Sequence, residues 1–146
     1  MPKSLLRRLV QSRDGSVILE TALMITILLM LMFGIIDLGR VLYVANNLTS
    51  SARQGARVGA VLNDPTGADA STVKAAVKSH FNSYTFGGPT LTDANIVLTK
   101  TGSATPEFAI RVTITYPFNW ITPIRALVGN MTNTLHGQAE YHLENQ

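Results

Sequence analysis

The sequence predicts an α+β fold. A long N-terminal transmembrane helix continues into a small exported domain, which holds a second helix and a three-stranded antiparallel sheet. Three observations carry this. Residues 16–36 form an apolar run with one ionisable residue, Glu20. Apolar residues then keep helical spacing from Val41 to Leu62 with no proline. Finally the period changes: residues 107–116 and 134–143 alternate apolar and polar, as half-buried strands do.

The apolar run is long enough to cross a membrane. At about 1.5 Å per residue, 20 helical residues span the roughly 30 Å of a bilayer core. A cleavable secretory signal usually has an apolar region of only about 7–15 residues, and no A-x-A site stands just after this run. The flanks set the orientation. Lys3, Arg7, Arg8 and Arg13 precede the run against Asp14 alone, while Asp37 and Arg40 after it cancel. The N-terminus is therefore expected in the cytoplasm and the C-terminal part outside. The formal excess of +3 lies entirely in the first 15 residues. It is a topogenic charge, and no basic patch with interleaved aromatics follows to bind nucleic acid.

These features divide the chain into a basic leader at 1–15, a long helix at 16–62 that spans the membrane at about 17–36, and an exported domain at 63–146. In the leader, Leu5, Leu6, Leu9 and Val10 are spaced for a short amphipathic helix on the inner leaflet. Hydrophobic residues make up 46% and charged residues 14%, a bias created mostly by the span. There is no cysteine, so disulfides and Cys-based metal or redox sites are excluded.

The long helix, read as Val17 to Leu62, would measure about 69 Å. Asp37 and Arg40 form an i, i+3 pair on it. Its outer half carries a small-residue face: Ser51, Gly55 and Gly59 are four apart, as are Ala52, Ala56 and Ala60. Such spacing admits another backbone at close range. The chain's own sheet or the helices of neighbouring subunits would fill it. Arg53 and Arg57 are like charges at i, i+4, so an acidic partner or a solvated face is expected. Asn63-Asp64-Pro65-Thr66-Gly67 ends the helix with turn chemistry.

A second helix is expected from Asp69 to Ser83, capped by Asp69 or Ser71. Val73, Ala76, Val77, His80 and Phe81 make its buried face, and Thr85-Phe86-Gly87-Gly88-Pro89 ends it. Strands are expected at Asn95–Thr101, at Glu107–Tyr116 and at Thr134–Leu143, with a Gly102-Ser103 turn after the first. In the second, Phe108, Ile110, Val112, Ile114 and Tyr116 face in. In the third, Leu135, Gly137, Ala139, Tyr141 and Leu143 do. Pro117 to Gly129 reads as a connection, with a short helix after Pro123. Its Phe118, Trp120 and Ile121 are suited to capping the core or contacting a partner.

Two groups of residues carry a family resemblance. A basic leader ending in Gly15, then Ser16, then Glu20 inside an apolar helix, resembles the cleavage signature of type IV prepilins. That resemblance implies that a membrane aspartyl peptidase, the prepilin peptidase, cuts after Gly15. Ser16 becomes the new N-terminus, and Glu20 stays in the mature helix. A physical reason fits, because a carboxylate in low dielectric needs a partner such as the Ser16 ammonium one turn away. Thr21 departs from the pattern, since that branch often has an aromatic there. Ser51-Ala52-Arg53-Gln54-Gly55-Ala56-Arg57-Val58-Gly59-Ala60 following such a span resembles TadE-like proteins, the minor pilins or pseudopilins of the tight-adherence pilus machinery. With Tyr116-Pro117-Phe118 and Ala139-Glu140 the resemblance covers most of the chain. It implies a pilin-like fold in the bacterial inner membrane, with the sheet domain in the periplasm and incorporation into an extracellular pilus. It also implies other pilin subunits, an inner-membrane assembly platform with its cytoplasmic ATPase, and an outer-membrane secretin as partners.

Other chemistry is sparse. His136, Glu140 and His142 share a strand face at a spacing that could approach a metal, but a polar solvent face accounts for them, and no metal or cofactor is expected. No Ser/His/Asp set, phosphate-binding loop or zinc-protease motif is present, which argues against an enzyme. Asn47-Leu48-Thr49 and Asn130-Met131-Thr132 match the glycosylation acceptor pattern, which matters only in a host with that machinery. Two further readings stay open on residues alone. One is an uncleaved, membrane-anchored envelope binding module, and the other is a pseudopilin of a related secretion system.

Overall fold

A single helix runs from Arg13 to Ala60 (α1), 48 residues and about 72 Å in length. The computed structural model describes residues 13–84, 90–102, 108–120 and 133–142. After α1 come helix α2 (Ala70–Tyr84), a 3-10 turn (Asp93–Asn95), and strands β1 (Ile96–Thr101), β2 (Ala109–Phe118) and β3 (Asn133–His142). The strands form one antiparallel sheet in the order β1-β2-β3. The α+β class with a long apolar helix, a second helix and a three-stranded sheet is thus the observed fold. The leader before Arg13, the Thr85–Pro89 segment, Ser103, Ile121 onward in the connection after β2, and Leu143 lie outside the described residues.

α1 starts four residues earlier than the expected Val17, so Gly15 and Ser16 are helical. It ends two residues before Leu62, where Val61 and Leu62 donate to the carbonyls of Val58 and Gly59 in a tightened last turn. The turn that follows is built on Asp64. Its carboxylate accepts the amides of Gly67 and Ala68, and its own amide donates to Asp69 Oδ2.

Apolar residues in the lipid-length part of α1 are exposed from Val17 to Ile36, apart from the partly buried Phe33 and Gly34. Two threonines there are satisfied internally. Thr21 Oγ1 donates to the Val17 carbonyl and Thr26 Oγ1 to that of Ala22, both at 2.8 Å, which removes their cost in an apolar setting.

The outer half of α1 supplies the spine of the core. Leu48, Ala52 and Ala56 are fully buried with Val73, Val77 and Phe81 of α2 and Ile110, Val112 and Ile114 of β2. Phe81 and Tyr116 stack at 5.2 Å between ring centres. His80, a boundary residue, meets the hydroxyl of buried Ser51 through Nδ1 at 3.1 Å. β2 runs down α1 toward the span: Ile110 lies by Gly59, Val112 by Gly55, and Phe118 by Arg40.

The strands differ from expectation at their ends. β1 starts at Ile96, because Asp93–Asn95 closes a 3-10 turn in which Asn95 Oδ1 accepts from Thr92. β2 begins at Ala109, not Glu107, and continues past Tyr116 to Phe118, which is buried in the inward phase rather than lying in a connection. Pro117 is tolerated in this central strand because β1 pairing stops at Ile114, so no neighbour needs its missing amide. Ala109, expected to face out, is buried, its small side chain flanked by Thr101 and His142. Tyr141, expected to face in, is largely exposed at the far end of the edge strand.

Candidate functional site

The site expected from the sequence is distributed along α1, and the structure places its members in three zones. The first is the N-terminal end. Ser16 and Glu20 are exposed on the helix surface one turn apart, three and seven residues after Arg13, where α1 begins. A chain end created at Ser16 would be a helix N-terminus. Its ammonium would add to the positive end of the helix dipole, and an acidic side chain in the first turn offsets both.

The second zone lies where the apolar run ends. Asp37 is 0% exposed, and Arg40 Nη1 bonds its Oδ1 at 3.2 Å. The same guanidinium reaches the Asn119 carbonyl at 3.4 Å and lies over the Phe118 ring at 5.1 Å. Trp120 meets Phe118 edge-on at 5.5 Å between ring centres. Arg40 therefore ties the end of β2 to the first turn after the span. The i, i+3 spacing announces the ion pair, but the return of β2 to it needs the tertiary fold and was not foreseen. Trp120, a candidate partner contact, is partly buried here.

The third zone is the small-residue face. Ser51, Ala52, Gly55, Ala56 and Gly59 are all buried, and the chain itself covers them. A Cβ at Gly55 would run into the Val77 methyl of α2, and one at Gly59 would meet the Ile110 Cδ1 of β2 at 2.5 Å. Both glycines thus lie where side chains of α2 and β2 approach α1 closely, and α2 joins the sheet in filling the face. Arg53 and Arg57 are exposed and make no ion pair with any described residue.

The outer sheet face is tied by polar contacts. Glu140 accepts Thr101 Oγ1 at 2.6 Å and Arg111 Nη2 at 2.9 Å. These partners, the hydroxyl first and then the guanidinium, hold its carboxyl below the usual carboxylate range. His136 Nδ1 faces Thr115 Oγ1 at 3.5 Å. With Glu140 engaged across the sheet, His136, Glu140 and His142 are not brought together. No group of three metal-ligating side chains assembles among the described residues.

Neither a curated protein nor a solved structure matches the chain. One family model does. Residues 15–57, from the glycine of the leader into the small-residue face as far as Arg57, match the family described as TadE-like protein, and the resemblance read from the sequence is thereby shown for that part of the long helix.

Proposed function

We propose that the chain is a pilin-type subunit, a minor pilin or pseudopilin, that takes part in assembling a tight-adherence type IV pilus. A role in that kind of pilus system is what the TadE-like match suggests. The observation that carries the finer reading is the exposed start of α1. Gly15, Ser16 and Glu20 lie at the head of an unbroken helix whose next 16 residues carry no charge and are exposed apart from the partly buried Phe33 and Gly34. In this reading the chain inserts with its basic leader in the cytoplasm, prepilin peptidase cuts between Gly15 and Ser16, and the new ammonium and Glu20 set the register against neighbouring subunits. The partners are then other pilin subunits, the inner-membrane platform with its cytoplasmic ATPase, and the bilayer itself. The exposed Arg53 and Arg57 are available to acidic groups on those partners.

The test is the N-terminal mass of the protein extracted from its own membrane, with and without the prepilin peptidase. A mature start at Ser16 that disappears without the peptidase is expected, and Gly15→Leu should keep the leader even with it. A Met1 or Pro2 start under all conditions would overturn the proposal and leave an anchored envelope domain.

A further inference from the structure

We infer that the exported domain is seated on the bilayer, with Arg40 and the Phe118–Trp120 end of β2 inside the headgroup layer on the exported side. The inference rests on α1 spanning the membrane and goes beyond it by assigning a second contact between this chain and lipid.

The level follows from the helix. Residues 17–36 centre on Thr26 and Ile27. At about 1.5 Å per residue, Asp37 to Arg40 stand about 16–20 Å from the bilayer midplane. The hydrocarbon edge lies at about 15 Å and the outer limit of the headgroups at about 20–22 Å, so this turn falls in the interfacial layer. Arg40 holds Asn119 and Phe118 at the same level through its carbonyl and ring contacts, and Trp120 packs on Phe118. Trp is suited to this layer because its ring prefers the apolar side and its N–H the wet side. The Arg40 guanidinium stays paired with Asp37 at that level, so neither charge is left bare in lipid.

Two further observations agree. Asp37, at the hydrocarbon edge, is fully buried and ion-paired, which keeps a carboxylate out of lipid. Elsewhere on the same turns, Leu38 and Leu42 are each 58% exposed and Tyr43 is 49% exposed. They prolong the apolar surface of the span without a break. In water they would form a bare apolar patch, whereas in the interfacial layer lipid covers them.

The chain holds one tryptophan, Trp120, which makes it its own depth gauge. The full chain is reconstituted in phosphatidylcholine–phosphatidylglycerol vesicles whose acyl chains are brominated either near the carbonyl or near the terminal methyl. Loss of most Trp120 emission with the shallow label, and a smaller loss with the deep one, is expected. Tyr141 pairs with Ile110, about 26 Å along β2 from Phe118. Tyr141→Trp in a Trp120→Phe background should therefore keep its emission with both labels. If the wild-type chain floats with the vesicles yet neither label quenches Trp120, the seating is wrong while the span stands. A domain standing clear of the bilayer, or a second subunit covering Trp120, would give that result. Stronger quenching by the deep label would also overturn it. Failure to float would remove the membrane-spanning reading and the seating together.

Discussion

Gly137 is where the core brings a strand against the helix backbone. It sits opposite Ile114 in the sheet, and a Cβ there would come within 2.6 Å of the Leu48 carbonyl carbon of α1. Backbone cannot yield as a side-chain tip does, so β3 must move off the helix. Gly137→Ala is expected to cost about 1–3 kcal/mol, the usual range for overpacking, and to lower the Tm measured in detergent. An unchanged Tm would show that β3 shifts freely. The inward phase of Gly137 was legible from its alternation with Leu135 and Ala139, but its contact with helix backbone was not, because a sequence does not say which α1 residue lies opposite. Phe118 was misplaced for a related reason. Pro117 reads as a strand end, and only the shortness of β1 on that flank makes it admissible.

Among the elements, the sheet is joined on its wet face by one polar set that touches all three strands. Thr101 of β1, Arg111 of β2 and Glu140 of β3 meet there. The folded pKa of Glu140 lies below its ordinary value, so its contribution is complete above the ordinary carboxylate range and is lost as pH falls through the folded value. Asp93, whose pKa is lowered chiefly by its hydrogen bond to Lys78, acts with the same sign between the 3-10 turn and α2. Thermal stability should hold from neutral pH down to about pH 4–5 and decline below it. Glu140→Gln should flatten part of that decline, and identical profiles for the two proteins would count against the role of the set. Both groups are exposed, so the effect is small. The elements themselves were the most legible level. The apolar run and the helical spacing to Leu62 together correspond to α1, and the two alternating segments to β2 and β3, with errors at ends where capping and pairing decide the boundary.

At the scale of the whole molecule, α1 is long and apolar enough at one end to cross a membrane and supplies the core at the other. Among the described residues its inner part is exposed from Val17 to Ile36 apart from Phe33 and Gly34, and its outer part is covered by α2 and the sheet. The small-residue face is therefore occupied from within, and the surface left for other subunits is the apolar inner part together with exposed residues such as Glu20, Arg53 and Arg57. Glu20→Ala should leave membrane insertion intact, since it removes a charge from an apolar run, while reducing incorporation into filaments or their priming complex. Normal incorporation in a pull-down of assembled subunits would count against Glu20 as the register residue. The extent of this division was not legible in the sequence, where the same glycines suit either an internal or an external neighbour.

In the proposed topology, the meeting of Leu48 with Gly137 also dictates an order of events during export. The core is closed by α1 and by β3, so it cannot be completed before β3 has crossed. Until β3 arrives, the long central strand has an open edge and a bare apolar face beside the membrane. A chain caught at that stage is the form most exposed to aggregation and proteolysis. Once β3 docks, sliding back would require the entire sheet to unravel, and folding itself makes the passage one-way.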